Sequence, residues 1–376
     1  MAASSSLRPW NDEAGEWRLV RGSVPLDVRL NVAVDVPPDV PRPRSLFIAP
    51  STSPPGYHAL PSSHVALGAA LLRGQTRPVT ERNPSRDVLS ELVAQLALEK
   101  IEENLFRGQS QDLGWGTVFG GQVLGQALSA AVQTVASDGD DARHVHSLHA
   151  YFLRPGAVDR PVVYDVDRIR DGGSFTTRRV RGIQNGHAIF NMSASFQKDE
   201  EGFAHQDAMP EAPPPDTLPT EQERVRPYVG RLPKLMADRA LAERPFELRP
   251  VAPLGEDPWS SEARPAARMV WLRTTGALPD DLALHQYLLA YASDYSFLTT
   301  ALLPHGVSWL TPQMQVASLD HVMWFHQPFR VDQWLLHVID SPAAHGGRGL
   351  VRGQVFAADG RLVASTAQEG LIRKRT

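Results

Sequence analysis

Phe119-Gly120-Gly121-Gln122-Val123-Leu124-Gly125-Gln126-Ala127-Leu128-Ser129-Ala130-Ala131-Val132-Gln133-Thr134-Val135 is the stretch on which the fold turns. Its apolar positions (Val123, Leu124, Ala127, Leu128, Ala130, Ala131, Val135) spread round most of a helical wheel instead of forming one stripe. A helix that is small and apolar nearly all round must be enclosed by the rest of the chain. The chain beyond this helix is strand-like: Val145 to Leu153, Val162 to Ile169, Phe175 to Gln184 and His187 to Gln197. Arg154-Pro155-Gly156, Asp171-Gly172-Gly173 and Asn185-Gly186 punctuate these runs, and Asn-Gly between two strand-like runs is a strong hairpin signal. Upstream, Leu89, Leu92, Val93, Leu96 and Ala97 recur at helical spacing within Asp87 to Glu99, before a short extended piece at Phe106 to Ser110.

The same programme then runs a second time. After a polar, proline-rich stretch centred on Pro213-Pro214-Pro215, with a surface helix expected near Leu232 to Leu241, strands are expected at Phe246 to Val251 and Met269 to Arg273. Asp280-Asp281 opens a long helix expected to reach Leu303, with strands after it at Val316 to Phe325, Trp334 to Ile339, Gly349 to Ala357 and Arg361 to Ile372. Ser147-Leu148-His149 answers to Ser318-Leu319-Asp320, and Ile189-Phe190-Asn191 to Leu362-Val363-Ala364, offsets of 171 and 173 residues. Two copies of a buried helix followed by antiparallel strands make an α+β double hotdog, each sheet wrapped around its own helix. The expected units are 86–198 and 245–376, joined by a linker over 199–244. Residues 1–85 hold 12 of the 31 prolines and read as an extension without sustained structure.

Composition narrows the function. A net charge of −4 gives no footprint for nucleic acid, and no apolar run approaches the roughly 20 residues of a membrane span. With no cysteine, thiol nucleophiles, disulfides and thiolate-bound zinc all fall away. Met1 to Ser6 lacks the charged opening of a secretory signal, so a cytoplasmic enzyme is expected. There is no Walker loop and no dinucleotide fingerprint, and no cofactor is expected. Of His144, His146 and His149, only the first two share a strand face, and no carboxylate completes a metal set.

The informative residue is Asp294. With Tyr287, Tyr291 and Leu298 it falls on one face of the expected second helix, the face that meets the sheet. A carboxylate there is costly unless it is hydrogen-bonded. It either caps a broken helix or bonds to the backbone, or it serves as a general base whose affinity for protons burial has raised. Ser318 opens the next strand and Gln368 lies in the last one. With Asp294 they supply one base and two neutral hydrogen-bonding groups, a set suited to holding a water in line with a carbonyl carbon. Ser318 has no G-x-S-x-G elbow, and His321, three residues along a strand, is expected on the opposite face. Gly120 and Gly121 at a helix start either present backbone donors to a polarised carbonyl or permit close helix–sheet packing.

Several long motifs carry a family resemblance. Glu99-Lys100-Ile101-Glu102-Glu103-Asn104-Leu105-Phe106-Arg107-Gly108-Gln109-Ser110, Val118-Phe119-Gly120-Gly121-Gln122-Val123 and His149-Ala150-Tyr151-Phe152-Leu153-Arg154-Pro155-Gly156 lie in the first repeat. Tyr291-Ala292-Ser293-Asp294, Asp320-His321-Val322-Met323-Trp324-Phe325-His326 and Ala364-Ser365-Thr366-Ala367-Gln368-Glu369-Gly370 lie in the second. Together, over about Asp87 to Arg373, they resemble type II acyl-CoA thioesterases of the bacterial TesB type. The resemblance implies a double hotdog that cleaves medium- or long-chain fatty acyl-CoA to free acid and CoA, often as a homo-oligomer. It implies a triad on Asp294, Ser318 (threonine in many bacterial members) and Gln368. The first repeat has Ser195 near the place of Gln368 and no helix aspartate, so one active site per chain is expected. The competing readings are a hotdog enoyl-thioester hydratase, which would want an Asp–His pair at a helix start, and a non-catalytic acyl-CoA sensor, which would not need the triad.

Overall fold

The structure is a computed structural model that describes residues 87–114, 116–135, 139, 142–252, 256, 257 and 259–375. The proline-rich extension over 1–85 lies outside the described residues.

The first half opens with α1 (Val88–Leu96), whose start is fixed by Asp87 accepting from the Leu89 N–H. Its Leu89, Leu92 and Leu96 are buried, the face that the helical spacing marks. β1 (Glu99–Glu102) and β2 (Leu105–Gly108) form a hairpin, and α2 (Gly120–Val132) comes next with every residue from Gly121 to Ala131 buried. Then come β3 (His144–Phe152), β4 (Val162–Asp171), β5 (Phe175–Gln184) and β6 (His187–Gln197). The β5–β6 turn places Asn185 and Gly186 at φ 51° and 74°, the left-handed backbone that a two-residue hairpin with matching twist requires.

The connection between halves carries two short helices, α3 (Glu221–Val225), started by a Thr220/Glu223 capping box, and α4 (Lys234–Ala240). It is docked, not free: Met209, Ala212 and Leu218 pack on Trp271, Leu336, Phe356 and Leu362, and Trp271 Nε1 donates to the Pro213 carbonyl at 2.9 Å. The second half comprises β7 (Phe246–Pro250), β8 (Ala267–Thr274), α5 (Leu282–Ser293), β9 (Met314–Ser318), β10 (Asp320–Phe325), β11 (Leu335–His345), β12 (Arg348–Ala357) and β13 (Leu362–Lys374).

All strands join one antiparallel sheet in the order β1-β2-β4-β5-β6-β3-β10-β13-β12-β11-β8-β7, with β9 also on β13. Read from either end, the order visits equivalent elements of the two repeats, and they meet where β3 pairs β10 (Ser147 opposite Trp324, His149 opposite Val322). The sheet encloses α2 and α5, which lie against each other with their chains running in opposite directions. A Cβ at Gly121 would sit 2.2 Å from the Tyr291 carbonyl oxygen, and one at Gly125 would sit 3.0 Å from that of Tyr287. Gly121 and Gly125 therefore serve helix–helix contact, where helix–sheet contact was expected. This is the double hotdog.

Two expected elements differ. The second helix stops at Ser293 instead of reaching Leu303: Asp294 is its C-cap, Ser296 turns left-handed at φ 55°, and the chain resumes as a 3₁₀ helix over Leu298–His305. Leu298 thus lies beyond α5, in another helical segment. The expected strand from Val316 to Phe325 is two strands, broken at Leu319.

Candidate active site

The end of α5 brings Asp294 to the start of α2. Helix N-termini leave N–H groups without intrahelical partners, and one of them, on Gly121, donates to Asp294 Oδ2 at 3.0 Å. The second carboxylate oxygen, Oδ1, accepts from Ser318 Oγ at 3.3 Å at the end of β9. Gln368, from β13, donates through Nε2 to Ser318 Oγ at 2.7 Å. The start of α2, the end of β9 and, through Ser318, β13 thus converge on the carboxylate at the end of α5. A Cβ at Gly120 would lie 2.8 Å from Asp294 Oδ2 and 3.2 Å from the Phe152 ring, so glycine there keeps the space beside the carboxylate clear.

Aromatic rings wall this corner. Phe119 stacks on Tyr295 and meets the Tyr291 ring edge-on, both with centroids 5.2 Å apart. The enclosure shows in the carboxyl group. Burial pushes Asp294 up to about 6, opposed by the hydrogen bonds from Gln368, Gly121 and Ser318. Desolvation outweighs three donors, which leaves a carboxylate ionised at neutral pH yet poised to take a proton.

The structure places Asp294, Ser318 and Gln368 as neighbours, and both parts of the structural reading of Asp294 are present: the residue ends a helix and accepts from a backbone N–H, that of Gly121, while also facing Ser318. His321 is a correction. Its ring lies on the Gln368 side, with Nδ1 2.6 Å from Gln368 Oε1 and Nε2 2.9 Å from Ser293 Oγ. The reason is the break at Leu319. β9 pairs β13 with Ser318 opposite Gly370, while β10 pairs it with Val322 opposite Ala367, a slip of one residue. An extra residue in one strand inverts the alternation beyond it, so His321 returns to the face of Ser318. Nothing in the sequence marks the bulge, and strict alternation hides His321.

The β3 histidines fall elsewhere. His146 packs on Phe175 and His149 on Trp324. Among the described residues no group of three or more histidines and carboxylates could hold a metal ion, and no helix is long and apolar enough to cross a membrane. At the matching end of α2 stand Gln133 and Thr134, not a carboxylate, and Thr134 Oγ1 accepts from the buried Arg178.

Comparison with known proteins agrees with this architecture half by half. A family model described as acyl-CoA thioesterase matches residues 243–371, and one described as acyl-CoA thioesterase N-terminal domain matches residues 110–197. Acyl-CoA thioesterase 2 of Haemophilus influenzae is 45% identical over 287 residues, 76% of this chain and 98% of the relative. Human acyl-coenzyme A thioesterase 8 is 42% identical, over 77% of this chain and 92% of its own. Among solved structures, acyl-CoA thioesterase II TesB2 from Mycobacterium marinum superposes with a TM-score of 0.60 at 42% identity, covering 76% of this chain and 98% of that one. Fold and relatives together define an enzyme of the hotdog thioesterase class. Within that class, the chain belongs to the acyl-CoA thioesterase family.

Proposed function

We propose that the protein hydrolyses medium- or long-chain fatty acyl-CoA to free acid and CoA by direct attack of a water held by Asp294, Ser318 and Gln368. The observation that carries the reading is the convergence of Ser318 and the Gly121 N–H on the two oxygens of a desolvated carboxylate. Asp294 takes a proton from the water as the water oxygen bonds to the thioester carbon. The tetrahedral intermediate then collapses, the C–S bond breaks, and the Asp294 carboxyl returns the proton to the CoA sulfur. Ser318 and Gln368 orient the water without entering a covalent bond.

The Gly121 N–H is engaged by Asp294 and so acts on the base. The Gly120 N–H, at the first position of α2 and without an intrahelical partner, is the donor assigned to the carbonyl oxygen, where negative charge develops. A Ser–His route to an acyl-enzyme on Ser318 is disfavoured, because both ring nitrogens of His321 bond to other groups and neither receives the Ser318 proton. Gln133 at the cap of α2, where α5 has Asp294, supports one active site per chain, in the unit over 245–376, with 86–198 completing it and 199–244 as the connector.

The test is release of free thiol from a panel of acyl-CoA esters by the wild type and Asp294→Ala. Turnover that falls by roughly a hundredfold or more supports a general base at this position. Undiminished turnover in the variant moves the chemistry elsewhere.

A further inference from the structure

We propose that His321, hydrogen-bonded to Ser293 and Gln368 in one tautomer, is a positioning residue that holds the Gln368 side-chain amide with its NH₂ end toward Ser318. The inference rests on the hydrolytic reading above and adds to it the group that orients its glutamine.

The two ends of a glutamine amide are nearly identical in shape, so only their partners choose between them. Gln368 Nε2 lies 2.7 Å from Ser318 Oγ, and Oε1 lies 2.6 Å from His321 Nδ1. Ser318 has one hydroxyl proton, and the ionised Asp294, an acceptor only, takes it at Oδ1. The Ser318 oxygen can then only receive from Gln368, so the amide must present its NH₂ there and its carbonyl to His321. That carbonyl in turn needs a protonated Nδ1. A neutral ring with its proton on Nδ1 has a bare Nε2, which must accept from the Ser293 hydroxyl at 2.9 Å. One proton order therefore runs from Ser293 through His321, Gln368 and Ser318 to Asp294.

A competing order exists in the same geometry. Ser293 Oγ is also 2.9 Å from the Ala290 carbonyl, one turn back in α5. If its proton goes there, Nε2 must hold the ring proton and Nδ1 becomes an acceptor. Gln368 then turns over, and its carbonyl competes with Asp294 for the Ser318 proton. The Asp294 charge selects the first order. His321 is fully buried, and burial holds it down at about 4, so it stays neutral and carries one ring proton at neutral pH. Ser293 precedes Asp294 directly, so the end of α5 supplies both the base and the anchor of the tautomer.

The experiment uses the full chain with ¹⁵N-labelled histidine, the His321 signals being identified by their loss in His321→Asn. The expected result at neutral pH is a protonated Nδ1 and an unprotonated Nε2; the reverse pattern overturns the proposal. Kinetics give a second reading. His321→Leu is expected to lower kcat on the order of a hundredfold, as misplacement of a reacting group does, with KM little changed. His321→Asn keeps an N–H near the place of Nδ1 and is expected to recover most of that loss. Wild-type kcat in the leucine variant, or an asparagine variant no better than leucine, overturns the role. If Asp294→Asn retains turnover, the hydrolytic reading itself fails. If it is inactive while His321→Leu is unimpaired, only the present inference does. Should the leucine variant not fold, the tautomer of the wild type still decides.

Discussion

Gly121 on the first repeat holds Asp294 on the second: its N–H donates to Oδ2 at 3.0 Å, and its missing Cβ lets the Tyr291 carbonyl lie where that carbon would be. The duplicated fold thus joins two helix ends at this carboxylate, the start of α2 and the finish of α5. Gly121→Ala puts a methyl 2.2 Å from the Tyr291 oxygen, so the helices must part. The expected cost is about 1–3 kcal/mol of stability, as for other overpacked interiors. A loss of kcat is expected that persists in molecules shown folded by circular dichroism. A variant with wild-type kcat would mean the Gly121–Asp294 bond does not place the base.

The pH dependence of turnover is set by burial. Burial raises Asp294 to about 6, above the ordinary 3.8, and in the proposed mechanism it is the base only when ionised. On this reading kcat/KM rises about tenfold per pH unit below 6 and levels above it. A profile that bends near pH 4 instead would mean the carboxylate is as well solvated as a surface one.

Ser318 separates orientation from chemistry. Its hydroxyl links Gln368 Nε2 to Asp294 Oδ1, so Ser318→Ala removes the link and leaves the base. A fall in kcat of roughly tenfold to a hundredfold is expected. Ser318→Thr keeps the hydroxyl and adds a methyl, and is expected to stay within several-fold of the wild type. Steady-state thiol release distinguishes the two. Complete loss in the alanine variant, with a covalent acyl-serine trapped in the wild type, would instead restore the nucleophile.

What could be read from the sequence is the part governed by periodicity and turn chemistry. The encircled apolar pattern of α2 required an enclosing sheet, and Asn185-Gly186 and Asp359-Gly360 marked the hairpins of both repeats. What escaped sits where tertiary contacts override a local pattern. Apolar residues continue past Asp294 through Leu298, Ala301 and Leu302, so periodicity extends the helix, yet the capping carboxylate is held from another repeat. β1 is exposed along its length and has no alternation to find. The bulge at Leu319 comes from pairing with β13, about 50 residues away, and a single shifted residue was enough to hide His321.

Acid stability carries the last prediction, because Asp294 and two buried histidines act with opposite signs. Burial lowers His321 to about 4, and burial with the neighbouring His321 charge lowers His337 to about 3. Below their ordinary 6.5 the unfolded chain takes up protons that the native state refuses, so each histidine costs about 1.4 kcal/mol of stability per pH unit. Asp294 does the reverse. Between about 6 and 3.8 the native state binds a proton that the unfolded chain does not, so acidification there favours the fold. Across pH 6 to 4, one of the two histidine contributions is thus offset in the wild type. In Asp294→Asn the offset is gone, and the contribution of these groups to acid loss is roughly twice as steep over that interval. At pH 7 the same variant, relieved of a buried charge, is expected to be more stable than the wild type by up to about 3 kcal/mol. Denaturant unfolding of both proteins at pH 4, 5, 6 and 7 reads both effects. A wild-type minus variant difference that does not change with pH would show that Asp294 is not raised by burial, and with that its suitability as a base near neutral pH would fall.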